Sequence, residues 1–278
     1  MKYSLILEGG GVQGIAHTGA IACLSEFGIF ESIMHVSGTS SGALVAALVA
    51  SRFSSEELKQ IMFATPFKKI KDSSIGCFRD MFRLYKNYGY HKGTYIESYL
   101  NKILEGKFGI SRITFKDLFI KTGVHLKLTG TCVSDRKLVW FDYILTPSME
   151  VAKAVQISAC IPYFFAPVKY DNKYYVDGGC LRNIPIDAFE DTTPIILDLV
   201  SISDTSRINN VLSFTSAMVE TLLFNIQTPV DLNGIRIEIP TGTISAINFN
   251  VSDNDKKFLF YSGYNTVKNS GINPILKS

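Results

Sequence analysis

The chain is short of the residues that build disulfide frameworks, metal centres and membrane spans. Its 278 residues include five cysteines, Cys23, Cys77, Cys132, Cys160 and Cys180, an odd number with no CxxC pair. That spacing argues against both a disulfide framework and a zinc site, and for a reducing compartment such as the cytoplasm. Several of these cysteines stand among apolar neighbours, so buried free thiols are expected. Histidine is scarcer still: His17, His35, His91 and His125, and none later. The longest apolar run, Ala43 to Ala50, makes about two helical turns, far from the roughly 18 residues of a membrane span. The apolar start from Tyr3 to Leu7 runs straight into glycines, which suits a first strand better than a signal-peptide core. There is no internal repeat and no low-complexity tract.

Charge is modest as well. The formal net charge is +3, too small to imply a nucleic-acid partner. It is uneven, however: between Lys68 and Lys92 stand seven basic residues and two acids. With 46% hydrophobic residues and this length, a core of ample size is expected in one large domain or two small ones.

The order of apolar runs and glycines points to an α/β architecture. Residues 3–7 read as a buried strand, followed by a helix from Gln13 to Phe27 with Gly28 just past its end. A second strand over 33–36 and a helix from about Gly42 repeat the unit, as in a largely parallel sheet packed by helices. Capping signals at Ser54 with Glu57, at Thr94 with Glu97, and at Thr146 before Pro147 mark three further helix starts, the last running to about Ser158. Strands are expected over 124–133, 137–144, 174–176, 194–200 and 235–239, and helices over 207–227 and 253–268.

Three glycine-containing elements carry the chemistry. The first, Gly38-Thr39-Ser40-Ser41-Gly42, is a G-x-S-x-G sequence between an apolar strand and an apolar helix, the setting of a nucleophile elbow. Such a turn exposes the central hydroxyl at a helix N-terminus, where dipole and free N–H groups favour developing negative charge. The bland reading of the same residues is a helix cap by Ser40 or Ser41. The second element, Gly9-Gly10-Gly11-Val12-Gln13-Gly14, also joins a strand to a helix, and its backbone N–H groups can form an anion-binding nest. It matches the dinucleotide pattern G-x-G-x-x-G too. That reading wants an acid at the end of the second strand; Glu26 and Glu31 precede this strand, whose end carries Gly38-Thr39-Ser40. The third element is Asp177-Gly178-Gly179 after Tyr174-Tyr175-Val176. On its own it would more often be a hairpin turn.

The histidines limit how Ser40 could be activated. A Ser-His-Asp hydrolase of the α/β type needs a late loop histidine, and none follows His125. A carboxylate is therefore the expected base, provided it is within reach and poorly solvated.

Together these elements resemble the patatin-like phospholipase family, which has a G-G-G-x-R-G oxyanion loop, a G-x-S-x-G elbow and a late D-G-A or D-G-G in this order. The stretch Ala154 to Phe165 is also similar to the family's segment upstream of its catalytic Asp. The likeness spans residues 4–50 and about 128–190. It leaves out 60–125, read as a lid or insertion, and 200–278, read as the C-terminal part of the same single domain. The resemblance implies a three-layer α/β/α sandwich and hydrolysis of fatty-acyl esters in phospholipids or neutral lipids. Ser40 would be the nucleophile and Asp177 the base, with Gly9, Gly10, Gly11 and Val12 forming the oxyanion hole and Gly14, Gly38, Gly42, Gly178 and Gly179 supporting the turns. No metal or organic cofactor is implied. One position departs: the family's Arg is Gln13 here, and a neutral amide supplies no positive charge. A Rossmann-type nucleotide binder and a lipid-binding pseudoenzyme on the same fold remain the alternatives.

The segment from Phe63 to Tyr95 mixes aromatics with the basic cluster, which suits peripheral contact with anionic lipid. It suits equally a helix that buries Phe78 and Phe82 and solvates its bases. Liposome flotation separates the two: an interfacial surface binds vesicles only when anionic lipid is present, and a solvated face is indifferent to lipid charge.

Overall fold

The structure, a computed structural model, describes residues 2–70, 85–202 and 234–272, with isolated positions between 203 and 233. In chain order the elements are β1 (Tyr3–Leu7), a 3-10 turn (Gly11–Gly14), α1 (Ile15–Glu26), β2 (His35–Gly38), α2 (Ser41–Ala50), α3 (Ser55–Ala64) and α4 (Phe67–Ile70). Next come β3 (Gly89–His91), α5 (Thr94–Phe108), α6 (Phe115–Thr122), β4 (His125–Cys132), β5 (Lys137–Phe141) and α7 (Val151–Ser158). The last group is β6 (Tyr163–Phe165), β7 (Val168–Tyr170), β8 (Lys173–Asp177), α8 (Gly179–Arg182), β9 (Thr193–Ser201), β10 (Ile235–Gly242) and α9 (Asp253–Asn269).

The central sheet runs β10-β9-β1-β2-β4-β8-β7, with β5 also paired to β4. From β10 to β4 every pairing on this path is parallel; β5 and β8 meet β4 antiparallel, and β7 meets β8 antiparallel. This is a mixed α/β fold with a large sheet flanked by helices. β1 lies in the interior, with Leu7 opposite Gly38 on one side and Leu197 on the other. Its side chains alternate between two cores. Leu5 and Leu7 join the main core with α1 and α2, and Ile6 joins Ile184, Ala188 and Ile196 on the opposite face. All three are fully buried, each stabilising the fold by about 1.5–3 kcal/mol before chain entropy is counted. β3 and β6 form a separate two-stranded parallel sheet that no sequence signal announced.

Most expected elements form, with shifts of one to a few residues. Gln13 lies in the 3-10 turn, so α1 starts two residues after the expected position, and Gly28 takes φ +70° just past its end. The Ser54 capping box closes: Ser54 Oγ accepts the Glu57 N–H at 3.2 Å, and Glu57 Oε2 accepts the Ser54 N–H at 2.7 Å. The Thr94 box does not form. Gly93, at φ +69°, caps α5 instead, and Glu97 is drawn to Lys153. Thr146 and Pro147 start no helix either. Thr146 closes a turn onto Asp142, and α7 begins at Val151. Boxes at Thr114 with Asp117 and at Ser252 with Asp255 do the capping that the sequence reading missed. The helix expected over 207–227 lies almost wholly outside the described residues, as do Phe78 and Phe82. Elsewhere in the aromatic and basic segment Phe67 is buried against the core, Phe63 packs edge-on against Phe260, and Tyr85 and Tyr88 are exposed. Among the described residues no helix is long and apolar enough to cross a membrane, and Cys23, Cys132, Cys160 and Cys180 are all free.

α9 closes the fold by packing on α1. At this crossing a Cβ on Gly263 would lie 2.0 Å from the Ala16 carbonyl oxygen, so the helices approach closer than any side chain allows. Gly263→Ala should therefore push them apart and cost about 1–3 kcal/mol. A lowered chemical-denaturation midpoint with an unchanged m-value would register it.

Candidate active site

The elbow is built by the last residue of β2 and the first turn of α2. Ser40 sits between them at φ 54°, ψ −121°, a conformation that L residues rarely adopt and that costs roughly 1–3 kcal/mol unless its surroundings enforce it. They do. A Cβ on Gly38 would lie 2.3 Å from Gly42 O, and one on Gly42 would lie 2.4 Å from Leu7 O, so the turn closes onto itself and onto β1. The Thr39 N–H donates to Leu7 O at 3.2 Å. Its hydroxyl donates to Arg182 O at 2.9 Å and shares a hydrogen bond of 2.7 Å with Thr129 Oγ1. The Ser40 N–H donates to Ser158 Oγ at 3.0 Å.

Asp177 ends β8 opposite Gly130 of β4 and is fully buried. Its backbone is tied on both sides: N–H to Cys160 O at 2.8 Å, and carbonyl from Thr131 Oγ1 at 2.9 Å. Carboxylate Oδ1 accepts the Gly179 N–H at 2.7 Å. Burial raises the carboxyl from 3.8 to about 7, opposed by the Gly179 N–H and by the Ser40 hydroxyl; among the described residues no cation contributes. Ser40 is thus close enough to act on the carboxyl, yet Oδ2 accepts no hydrogen bond of ordinary geometry. The two side chains are adjacent, and the bond between them is open at rest. The neighbouring thiols stay protonated: burial and the Asp177 charge push Cys160 far up and Cys180 to about 12.

The glycine-rich loop lies against the elbow, and a Cβ on Gly9 would stand 3.0 Å from Ser40 Cβ. Its donors are more committed than the sequence suggests. Gly9 N–H meets Asn183 O at 3.3 Å, Val12 N–H meets Ala246 O at 2.9 Å, and Gly10 N–H meets Ser41 Oγ at 3.0 Å. Of the four N–H groups expected to form an oxyanion nest, Gly11 alone has no partner among the described residues. The physical reason is burial, since a loop packed this deeply must satisfy its own N–H groups. Gln13 is buried too and donates through Nε2 to Ile244 O at 2.6 Å, so the residue that replaces the family's Arg anchors the loop to the chain beyond β10.

Beneath the loop lies a polar cluster that sequence reasoning missed. Glu8 Oε1 accepts from Asn183 Nδ2 at 2.8 Å, and Oε2 accepts the Leu199 N–H at 2.5 Å. Burial, and the Asp198 carboxyl beside it, push Glu8 well above the usual carboxylate range. Asp198 in turn accepts from Arg236 Nε at 2.7 Å. His17 Nε2 donates to Glu8 O at 2.9 Å, and burial pushes this histidine down to about 4, so it stays neutral. His35 and His125 stand at the opening residues of β2 and β4, at the far end of the sheet from the elbow. Among the described residues no group of three or more His, Cys, Asp or Glu could hold a metal ion.

An α/β sheet whose second parallel strand delivers a serine at positive φ beside a buried carboxyl defines a hydrolase-like class of architecture. The patatin-like phospholipase family model matches residues 5–190, and the chain belongs to that family. It is 26% identical to an uncharacterized protein of Acanthamoeba polyphaga mimivirus, over 95% of this chain and 92% of that one. It is 31% identical to a probable lipid hydrolase of Invertebrate iridescent virus 6, over 66% of this chain and 62% of that one. Among solved structures, VipD from Legionella pneumophila superposes with a TM-score of 0.66 at 19% identity, covering 97% of this chain and 66% of VipD. That likeness speaks for the fold.

The carboxyl of Asp177 has opposite effects on activity and stability. If it is the base, kcat/KM should rise about tenfold per pH unit below about 7 and level off above it. A carboxyl raised in the folded state favours folding most when protonated. That contribution is complete below the unfolded value and is lost as pH climbs through about 7. Asp177→Asn should flatten both profiles, measured by initial rates and by thermal unfolding across this range.

Proposed function

We propose that the protein is a lipid acyl hydrolase that cleaves fatty-acyl esters of phospholipids or neutral lipids through an acyl-enzyme on Ser40. The observation that carries this reading is the placement of Ser40, on an enforced elbow, beside a buried carboxyl raised to about 7 with a free oxygen. Ser40 Oγ attacks the ester carbonyl while its proton passes to Asp177 Oδ2. The oxyanion forms where the Gly11 N–H and the N-terminus of α2 supply positive charge. Asp177 then returns the proton to the departing alcohol, leaving the acyl group on Ser40. Water attacks this ester, giving its proton to Asp177, and the fatty acid leaves as Ser40 recovers its hydrogen.

Several observations support a carboxylate alone as base. His17, beneath the glycine-rich loop, is bonded to Glu8 O and lowered to about 4, too weak a base for the task, and among the described residues Asp177 has no countercharge that would keep its pKa low. A lipid substrate agrees with the family and with the viral relative named a probable lipid hydrolase. The dinucleotide alternative loses its phosphate cradle, because three of the four loop donors are already bonded.

A fluorophosphonate probe tests turnover chemistry against the pseudoenzyme. Wild type should be labelled at Ser40 and Ser40→Ala should not, with ester hydrolysis reduced by about a thousandfold or more. Undiminished hydrolysis by Ser40→Ala would remove the reading.

A further inference from the structure

The end of α7 touches both halves of the site. Ser158 is its last residue and has no solvent exposure. A serine in a helix commonly turns its hydroxyl back onto a carbonyl of the preceding turn. Here Ser158 Oγ accepts the N–H of Ser40, 118 positions away, at 3.0 Å. The carbonyl of the same residue accepts the Gly178 N–H at 3.4 Å, and the carbonyl of Cys160 accepts the Asp177 N–H at 2.8 Å. Three atoms within three residues thus hold the backbones of Ser40, Asp177 and Gly178.

The support on which they stand is fixed in turn. α7 is tied to α5 by the Lys153–Glu97 pair and, at the N-cap of α5, by Gln156 Nε2 to Gly93 O at 3.2 Å, while Lys153 Nζ also donates to Gln156 Oε1 within α7 at 2.9 Å. The elbow glycines close the turn from the sides of α2 and β1, and Thr39 ties it through its hydroxyl to Thr129 and to Arg182 at the end of α8. The side-chain bond from Ser158 links the strained residue to the segment that carries its partner.

Resting on the assignment of Ser40 and Asp177 as nucleophile and base, we infer that Ser158 is a positioning residue that sets their separation. Its hydroxyl fixes the Ser40 backbone while its carbonyl holds the Asp-Gly turn. Loss of the hydroxyl leaves a buried N–H unpaired and lets Ser40 drift from Asp177. Displacements of an ångström suffice to slow such chemistry about a hundredfold.

Two variants separate this role from packing. Ser158→Ala removes the acceptor and leaves a small void; Ser158→Cys restores the volume with a weak acceptor. Both should lower kcat on a soluble nitrophenyl ester by about 10- to 100-fold, leave KM within about twofold, and slow fluorophosphonate labelling in parallel. Their acid limb should move to higher pH, because the Ser40 hydroxyl no longer helps to hold the Asp177 charge. Near-wild-type kcat in Ser158→Cys with loss only in Ser158→Ala would mark packing and overturn the inference. Wild-type rates in both variants would overturn it as well. Ser40→Ala run alongside keeps the outcomes distinct: if it is inactive while both Ser158 variants are normal, the dyad stands and only the positioning role falls.

Discussion

The constraint on which the site depends is a carboxyl removed from water with no countercharge among the described residues. Asp177 is fully buried, with one oxygen satisfied by the Gly179 N–H and the other open. A group in that state tends to pull a cation toward it, and among the described residues none stands beside it. Its backbone is fastened by Cys160 and Thr131, and the strand that carries it lies against β4. The raised pKa is the consequence of this isolation. Burial makes the carboxyl a stronger proton acceptor near neutral pH, which is what the proposed role of Asp177 as base requires.

The elbow stores strain for the same purpose. Ser40 at positive φ is unfavourable alone. It persists because β1, the opening of α2 and the hydroxyl of Ser158 all meet its turn. The central place of β1 in the sheet explains how the loops come together. Its C-terminal end lies next to that of β2, so the glycine-rich loop and the elbow leave the sheet side by side. The loop is packed so closely there that its own N–H groups need internal partners. Of the donors its glycines offer, Gly11 N–H alone is left without a partner among the described residues.

Legibility in the sequence followed the range of the interactions. Gly38 to Gly42 and Asp177 to Gly179 could be read because each is a local turn whose residues dictate its shape. Strands β1, β4, β9 and β10 were plain from their apolar runs. Capping was legible only in part: at Ser54 the local pattern wins, whereas at Thr94 a left-handed glycine takes the cap and a lysine from α7 claims the glutamate. Glu8 and Asn183 gave no signal at all, and Ser158 gave only its place in a family-like stretch, because their meaning comes from partners far along the chain, such as the 175 positions between Glu8 and Asn183. Gln13 was read as a missing charge; its place in the fold shows an amide bridge to Ile244 instead.

That bridge has a counterpart in the Val12 bond to Ala246 and in the Leu199 bond to Glu8. The glycine-rich loop near the N-terminus is therefore finished by residues well beyond position 190, where the family match ends. During synthesis the earliest motif must wait for the latest strands. Contacts of such sequence separation form slowly, so the glycine-rich loop is completed as one of the last acts of folding, long after its own residues have left the ribosome.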